Sequence, residues 1–232
     1  DVAPSRGLGD VYKRQGVGIA GGHTTVCPNV NRPVVSVTAI GHKLRTHQKA
    51  VAGQDIVMTK HIGMSGIRTV ISHKRDEILN VLPEDVINKA FAADEELIIA
   101  KEAQIFIKQN IDGAMHDASE GGIFAALWDM AEAGKVGLDI DFKKIPVRQE
   151  IIEICEIFDV NPYELESCGA LLMTADNGHD IIKILSDAGI KASVIGRTTA
   201  DHNKILRNDD EVRYLDLSLI HISEPTRRSY IS

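Results

Sequence analysis

Residues 112–134, DGAMHDASEGGIFAALWDMAEAG, carry the pattern that decides the fold of this chain. Ile123, Leu127 and Ala131 recur every four residues, which predicts an amphipathic helix with one buried face. A short apolar segment precedes the pair His116–Asp117 and delivers it into a loop before that helix. The stretch therefore predicts an apolar segment, a polar loop and a helix in direct succession.

The start of this helix has the features of an anion-binding site. Ser119 or Asp117 can supply the oxygen that caps the first amides, and Gly121 and Gly122 let a ligand approach the first turn without a side chain in the way. Free amides and the positive end of the helix dipole together favour phosphate. Ser119, Gly121 and Gly122 are therefore candidate cofactor-binding residues. A glycine turn that caps a helix without any ligand has the same local pattern.

The pair His116–Asp117 supplies the candidate catalytic residues. At the mouth of a cleft, Asp117 can hold a metal ion, a water molecule or a helix amide, and His116 can act as an acid or a base. The alternative is a loop pair that satisfies nearby backbone groups. Cys155 fits the buried face of a helix and Cys168 precedes a buried strand, so both are predicted to be packed side chains.

Segments of strand and helix character alternate along the chain. Strands are predicted from alternating or β-branched apolar runs, and helices from apolar spacings of three and four residues. The predicted strands are 34–40, 54–59, 138–142, 169–174, 190–195 and a hairpin within 204–214. The predicted helices begin near Gly63 and Pro83 and cover 101–110, 122–134, 148–158 and 179–188. This alternation predicts an α/β or α+β fold with two layers.

The composition argues against several classes of protein. The 232 residues are 44% hydrophobic and 25% charged, with a net charge of −7, so a nucleic acid partner is not expected. No apolar run approaches the roughly 18 residues that a membrane helix needs. The three cysteines show neither paired metal spacing nor a disulfide framework, which favours a reducing cytoplasm. We therefore expect a cytoplasmic globular protein without a membrane partner.

The two ends of the chain differ from its middle. Residues 1–15 and 217–232 have no apolar period and resemble translated sequencing-adaptor text, so we exclude them from the fold as we would a tag. Naturally disordered tails are the alternative. The polar segment 41–53 has the composition of a connector and marks a domain boundary. The intervening residues 16–216 suit one or two domains, and we expect them to begin inside a domain.

Five short motifs occur in an order that resembles the aminoimidazole ribonucleotide (AIR) synthetase superfamily. They are Gly21-Gly22-His23-Thr24, Gly53-Gln54-Asp55-Ile56-Val57, His116-Asp117-Ala118-Ser119-Glu120-Gly121-Gly122, Glu166-Ser167-Cys168-Gly169-Ala170-Leu171-Leu172 and Val194-Ile195-Gly196-Arg197. Residues 145–148, IPVR, stand before a helix with Cys155 and Glu156 and look closest to the hydrogenase maturation branch. The likeness covers nearly all of residues 16–216.

The resemblance implies a homodimer that binds ATP with Mg²⁺ between two domains and forms a phosphoryl-activated oxygen intermediate. Residues 16–48 would be the tail of the N-terminal, ATP-binding domain, and residues 49–216 the C-terminal domain. In such families the turn at Gly21, Gly22, His23 and Thr24 lies near the phosphates and the metal. Several members carry an acid where this chain has His23, and Mg²⁺ prefers oxygen ligands, so we assign no metal ligand.

The resulting hypothesis is an ATP-dependent enzyme, similar to hydrogenase maturation factors, that activates a carbonyl or amide oxygen by phosphoryl transfer. One alternative is a small-molecule kinase or synthetase of the same superfamily, such as a thiamine-monophosphate kinase or a selenophosphate synthetase. Another is a nucleotide-binding or scaffold protein without turnover, which the histidine at position 23 suggests. We expect the chain as given to lack turnover, because most of the expected nucleotide ligands precede it.

Overall fold

The computed structural model describes Gly18, residues 20–44 and residues 48–215. The chain divides into two compact units, residues 1–46 and residues 47–232, and each is described by itself. The segments 1–15 and 217–232, which were predicted to be foreign to the fold, lie outside the described residues.

Residues 20–44 of the first unit form no helix or strand, and their side chains are exposed. The amide of Val30 donates to the carbonyl oxygen of Cys27 at 3.2 Å in a turn. The strand predicted for residues 34–40 is wrong for this part of the chain. Val34, Val35, Val37 and Ile40 are between 72% and 96% exposed. A strand needs a neighbour to pair its backbone groups, and the described residues of this unit supply none.

This exposed β-branched run makes a prediction about association. Replacing Val35 and Val37 by lysine should lower the self-association of the whole chain, because it removes exposed apolar surface and adds charge to a β-branched segment whose backbone is unpaired. Light scattering across a concentration series measures the effect. The matched control replaces Asn29 and Asn31 by lysine, which adds the same charge without removing apolar surface. Equal association of the two double variants would contradict the prediction.

One mixed seven-stranded sheet organises the second unit. Its strands are β1 (Asp55–Thr59), β2 (Met115–Asp117), β3 (Gly137–Asp141), β4 (Leu171–Ala175), β5 (Ala192–Thr199), β6 (Lys204–Asn208) and β7 (Glu211–Tyr214). Their order across the sheet is β2-β4-β1-β5-β3-β6-β7. Only the pair β3 and β6 is parallel among the strand pairs that the structure describes. β1 and β4 therefore lie inside the sheet, and β2 and β7 form its edges.

Six helices accompany the sheet in residues 48–215. They are α1 (Met64–Leu79), α2 (Glu84–Ala90), α3 (Ala100–Lys108), α4 (Gly122–Gly134), α5 (Gln149–Ile157) and α6 (Gly178–Asp187). α4 buries Leu127 in a core that also contains Ile56 and Met58 of β1. α3 and α6 pack in a second core that contains Val57, between those two residues. Because neighbouring side chains of a strand point to opposite faces, helices cover both faces of the sheet.

A third core joins the remaining helices. Met64 and Ile71 of α1 pack with Ile87 of α2 and with Ile151 and Ile154 of α5. Apolar residues spaced three or four apart produce this contact, because they share one side of each helix. This cluster stands beside the sheet and fixes the position at which α1 begins.

The structure confirms the predicted α/β class. It has three layers, because helices cover both faces of the sheet, whereas the alternation predicted two layers. Most helices and strands of the second unit occur where the spacings placed them, but β5 continues to Thr199, beyond the predicted end at Ile195. His116 and Asp117, predicted in a loop, lie in strand β2, because they pair with Leu172 and Leu171 of β4. Cys155 is buried as predicted, and burial raises the pKa of its thiol to about 12. Within the described residues, no helix is long and apolar enough to cross a membrane.

Candidate functional site

The sheet topology brings two loops of similar design to one edge of the second unit. β1 and β2 flank β4 and both run antiparallel to it, so the two strands run in the same direction. Residues 60–63 follow β1 and residues 118–121 follow β2, and each loop leads into a helix. Both loops therefore lie beside the segment that enters β4. The stretch around His116 belongs to this edge.

The helix start at Gly122 differs from the predicted cap. The N-cap residue is Gly121, with φ 71° and ψ 6°, and it makes no side-chain capping bond. The Gly122 amide donates to the carbonyl oxygen of Ser119 at 3.1 Å, which makes residues 119–122 a tight turn with glycine at the left-handed position. The predicted cap by Ser119 or Asp117 is therefore wrong, because the left-handed glycine turn takes its place.

The first helix amides are also not free, as the anion-site prediction requires. The Ile123 amide donates to the carbonyl oxygen of Tyr163 at 3.0 Å, and the Phe124 amide makes a longer contact of 3.5 Å to the same oxygen. A Cβ on Gly122, which has φ +64°, would lie 2.4 Å from that oxygen. The capping carbonyl of Tyr163 thus fills the space in front of Gly122. The prediction of free helix amides for an anion is therefore wrong.

Other donors remain in the turn. In the part of the chain that the structure describes, the amides of Ser119, Glu120 and Gly121 have no hydrogen-bond partner. Amides that follow one another in a turn form a concave site for an anion. Any anion bound here is therefore expected at these turn amides and away from the helix amides. Ser119 and Gly121 stay candidate ligand-binding residues on this basis.

The start of α1 repeats the arrangement. Its N-cap residue, Gly63, has φ 71° and ψ 3° and makes no side-chain capping bond. The Gly63 amide donates to Oγ of Ser167 at 2.8 Å, and the Gly66 amide donates to the carbonyl oxygen of Glu166 at 2.9 Å. Residues 163–167, which we call the capping loop, therefore provide acceptors for the first amides of both α1 and α4. Sequence reasoning missed this role, although the two strand–loop–glycine–helix segments signalled it.

A cleft of about 550 Å³ opens at the free edge of β2. It lies between α3, the edge strand and the exposed side of α4. Its lining residues are Ile99, Ala103, Met115, His116, Asp117, Asp129, Ala133 and Leu171. The predicted catalytic pair therefore lines one cleft, whereas Ser119, Gly121 and Gly122 are not among its lining residues. Sequence reasoning missed Asp129, which stands on the polar side of α4 and adds a second carboxylate.

The environment of His116 selects one neutral form of its ring. Nδ1 lies 2.7 Å from the backbone carbonyl oxygen of Asp117. A carbonyl oxygen only accepts hydrogen bonds, so Nδ1 must carry the proton. The lone pair of the neutral ring is then on Nε2, which can accept a proton from a molecule in the cleft.

This tautomer can be tested directly. Long-range ¹H–¹⁵N NMR spectra at alkaline pH should show the neutral His116 ring with its proton on Nδ1, because the Asp117 carbonyl stabilises that form. His116→Gln identifies the signal by removing it. A ring protonated on Nε2 would contradict the proposed role of that atom as a base.

The candidate residues of the first unit are exposed and lie outside regular structure. Gly21, Gly22, His23 and Thr24 form neither helix nor strand. Nε2 of His23 is 2.7 Å from Oγ1 of Thr25, two residues along the chain. Their role near phosphates stays a prediction.

Cys168 directly follows the capping loop, which contains Glu166, and its amide donates to Oγ of Ser65 in α1. Sγ of Cys168 lies 3.2 Å from Oε1 of Glu166. Burial is the main cause that raises the pKa of the Cys168 thiol, and the hydrogen bond to Glu166 and the charge of Asp117 act in the same direction. A raised pKa keeps this thiol protonated at neutral pH, so Cys168 is a poor nucleophile.

The described residues do not fit a magnesium site of their own. No group of three or more histidine, cysteine, aspartate and glutamate side chains among them could hold a metal ion. Mg²⁺ in nucleotide enzymes is bound by one or two carboxylates together with phosphate oxygens.

His61, in the loop after β1, is sensitive to pH. Burial is the main cause that lowers the pKa of His61 from its ordinary value of 6.5, and the charges of Arg148 and Lys191 lower it further. Glu96 and Glu150 oppose the shift. The unfolded chain therefore binds a proton at His61 more readily than the folded chain.

The free energy of unfolding should consequently fall as the pH falls through the ordinary histidine range. His61→Gln should reduce the loss between about pH 7.5 and about pH 5.5, because it removes the group that the unfolded state protonates. Urea unfolding at the two pH values measures this difference. His179→Gln, at an exposed histidine, is the control and should retain the pH dependence of the wild type. An unchanged slope in His61→Gln would contradict the assignment.

Comparisons with known proteins agree with this architecture. Residues 51–208 match the family described as AIR synthase related protein, C-terminal domain. A probable phosphoribosylformylglycinamidine synthase of Caenorhabditis elegans is 31% identical over 176 residues, which cover 72% of this chain and 12% of that protein. A putative hydrogenase expression/formation protein of Methanocaldococcus jannaschii is 26% identical over 213 residues, which cover 87% of this chain and 60% of that protein. The chain thus spans less than two thirds of either relative.

Two solved structures share the fold. E. coli HypE, a hydrogenase maturation protein, is 20% identical with a TM-score of 0.61, over 73% of this chain and 51% of that chain. A HypE solved in complex with ATP is 17% identical with a TM-score of 0.58, over 75% of this chain and 54% of that chain. Together with the family match over residues 51–208, these findings confirm the resemblance seen in the motifs: the chain belongs to the AIR synthase related family and carries its C-terminal domain.

Proposed function

We propose that this chain is part of an ATP-dependent enzyme that activates an amide or carbonyl oxygen by phosphoryl transfer, as its resemblance to hydrogenase maturation factors implies. The observation that carries the proposal is the cleft that His116, Asp117 and Asp129 line together. Family membership supports the use of ATP, since a HypE of the same fold was solved with that nucleotide. Mg²⁺ would accompany the nucleotide phosphates, and the homodimer stays a prediction.

The cleft suits a small polar substrate. Its volume of about 550 Å³ is within the range of small-molecule sites, roughly 300–1,000 Å³. Ile99, Ala103 and Leu171 offer apolar contact, and Asp117 and Asp129 offer carboxylate oxygens that accept hydrogen bonds. Two acceptors beside an apolar wall fit the N–H groups of a primary amide. We therefore propose a carboxamide or carbamoyl group as the reacting part of the substrate.

The residues of the cleft suggest the following proton path. The amide oxygen forms a bond to the γ-phosphorus of ATP while the bond from that phosphorus to the ADP oxygen breaks. Loss of an amide proton makes the oxygen more nucleophilic, and Nε2 of His116 accepts that proton. Asp117 or Asp129 accepts one N–H group, and the second N–H group faces the ring. ADP and an O-phosphorylated imidate are the products of this step.

Isothermal titration of ATP with MgCl₂ into the whole chain tests the proposal. A second titration adds a small primary amide to the chain with ATP and MgCl₂ present. Asp117→Asn should keep the fold and weaken binding of that amide about tenfold or more, equal to about 1.4 kcal/mol, because it replaces a charged acceptor for the N–H groups by a neutral one. Asp187→Asn makes the same change at an exposed position at the end of α6 and should bind like the wild type.

Two outcomes would count against the proposal. Failure of the wild type to bind millimolar ATP would refute the nucleotide-dependent function. Equal affinity of wild type, Asp117→Asn and Asp187→Asn for the amide would place its recognition outside the cleft. A kinase of the same superfamily would instead be indicated by transfer of phosphate to a hydroxyl or a phosphate group of the substrate.

A further inference from the structure

The turn of residues 119–122 is hydrogen-bonded to the backbone of Ser167, a buried residue outside the cleft. Ser167 is fully buried at the end of the capping loop. Its hydroxyl donates to the carbonyl oxygen of Leu165 at 2.8 Å and accepts the amide of Gly63 at 2.8 Å. Its own amide donates to the carbonyl oxygen of Ser119 at 3.2 Å. Ser167 thus connects the start of α1, the capping loop and the turn before α4.

The bond to Ser119 extends the pairing of β2 with β4. Asp117 pairs with Leu171 in the sheet, and the Ala118 amide then donates to the carbonyl oxygen of Ala170 at 3.0 Å. The bond between Ser167 and Ser119 follows as the last contact in this series. The backbone from β2 to the turn is therefore held along its length, and Ser167 fixes the end that is farthest from the sheet.

We propose that Ser167 is a positioning residue for the site: it holds the turn that presents the amides of Ser119, Glu120 and Gly121 and, through the same ladder, the Asp117 carbonyl that orients His116. This inference rests on the proposed function of the cleft. Among the described residues, the Ser167 hydroxyl makes no hydrogen bond to a residue that lines the cleft, and it acts through the backbone of the loop.

The physical reason is that the buried Ser167 hydroxyl is the hydrogen-bond partner of two backbone groups. Removing it leaves the Gly63 amide and the Leu165 carbonyl without partners in a buried place, which strongly favours rearrangement of the loop. Any shift of residues 165–167 moves the amide that holds Ser119. Because the His116 ring is bonded to the Asp117 backbone, the same shift reaches the proposed base.

Ser65 provides a matched control. Its hydroxyl donates to the carbonyl oxygen of Glu166 at 2.9 Å and accepts the amide of Cys168 at 2.9 Å. It therefore also joins α1 to the segment that enters β4, with the same number of hydrogen bonds as the Ser167 hydroxyl. Its loss leaves the Glu166 carbonyl bonded to the Gly66 amide, so Ser65→Ala removes a similar serine while the capping loop keeps a bond to α1.

The experiment compares wild type, Ser167→Ala, Ser167→Thr and Ser65→Ala at temperatures at which each is folded. Backbone amide spectra report on residues 119–121, and long-range ¹H–¹⁵N spectra report on the His116 tautomer. Ser167→Ala should shift the three amide signals and reduce the Nδ1-protonated form, while Ser65→Ala leaves the His116 signal unchanged. Ser167→Thr keeps the hydroxyl and should resemble the wild type. If Ser167→Ala does not fold, Ser167→Cys, a weaker hydrogen-bonding group, replaces it with the same expectation.

Titration of ATP with MgCl₂ gives the second readout. Affinity should fall at least about fivefold in Ser167→Ala and stay at the wild-type value in Ser65→Ala. A Ser167→Ala protein that melts at a lower temperature but keeps the wild-type signals of residues 119–121 and His116 would overturn the proposal, because Ser167 would then only stabilise the fold. The spectra need no nucleotide, so a wild type that fails to bind ATP refutes the proposed function and leaves this test intact.

Discussion

The capping loop is the constraint on which the arrangement of the second unit depends. Two helices begin with left-handed glycines, Gly63 and Gly121, and neither has a side chain that caps its amides. Carbonyl and hydroxyl groups of residues 163–167 provide the acceptors instead. A buried amide without a partner costs about 1–3 kcal/mol, so one short segment determines the stability of both helix starts. The two helices cannot move apart without breaking bonds to the same loop.

Aromatic packing holds this loop on α4. The Tyr163 ring stacks on Phe124 with 5.5 Å between ring centroids and contacts Phe142 at 4.3 Å. The carbonyl of Tyr163 thus accepts amides of the helix whose side chain its ring covers. Burial raises the pKa of the Tyr163 hydroxyl, which keeps the ring neutral in this apolar contact. Backbone capping and ring stacking therefore stabilise one position of the loop.

A buried polar network fixes the other end of the same strands. The Thr174 hydroxyl accepts the Ala114 amide at 2.8 Å and donates to Oε1 of Gln54 at 2.8 Å. The backbone amide of Gln54 in turn donates to Oγ1 of Thr198 at 2.9 Å. These contacts join the approach to β2 with β4 and β5. Since a shift of one residue would turn every side chain of β2 to the other face, the network helps to keep His116 and Asp117 at the cleft.

Local patterns in the sequence predicted most elements but not the contacts between distant ones. The spacing of Ile123, Leu127 and Ala131 placed α4, because helical periodicity depends only on neighbours in the chain. The prediction of free amides at the start of α4 was wrong, because these amides donate to the carbonyl oxygen of Tyr163, some forty residues later in the chain. Asp129 was missed for the same reason: only the arrangement of α3 and α4 around the edge strand β2 makes its surface part of a cleft. The strand expected at residues 34–40 does not form, because a strand needs a neighbouring strand and the described residues of the first unit contain none.

The hairpin β6–β7 lies far from the cleft within the second unit. β2, beside the cleft, and β7 stand at opposite edges of the sheet, roughly 29 Å apart at the usual strand spacing of about 4.8 Å. The side chains of β7 are exposed, and its turn at Asp209 and Asp210 faces away from the core. A fluorophore or an inserted peptide at that turn would lengthen the molecule on its far side. The hairpin is therefore a natural handle for immobilising or labelling the protein without obstructing the cleft.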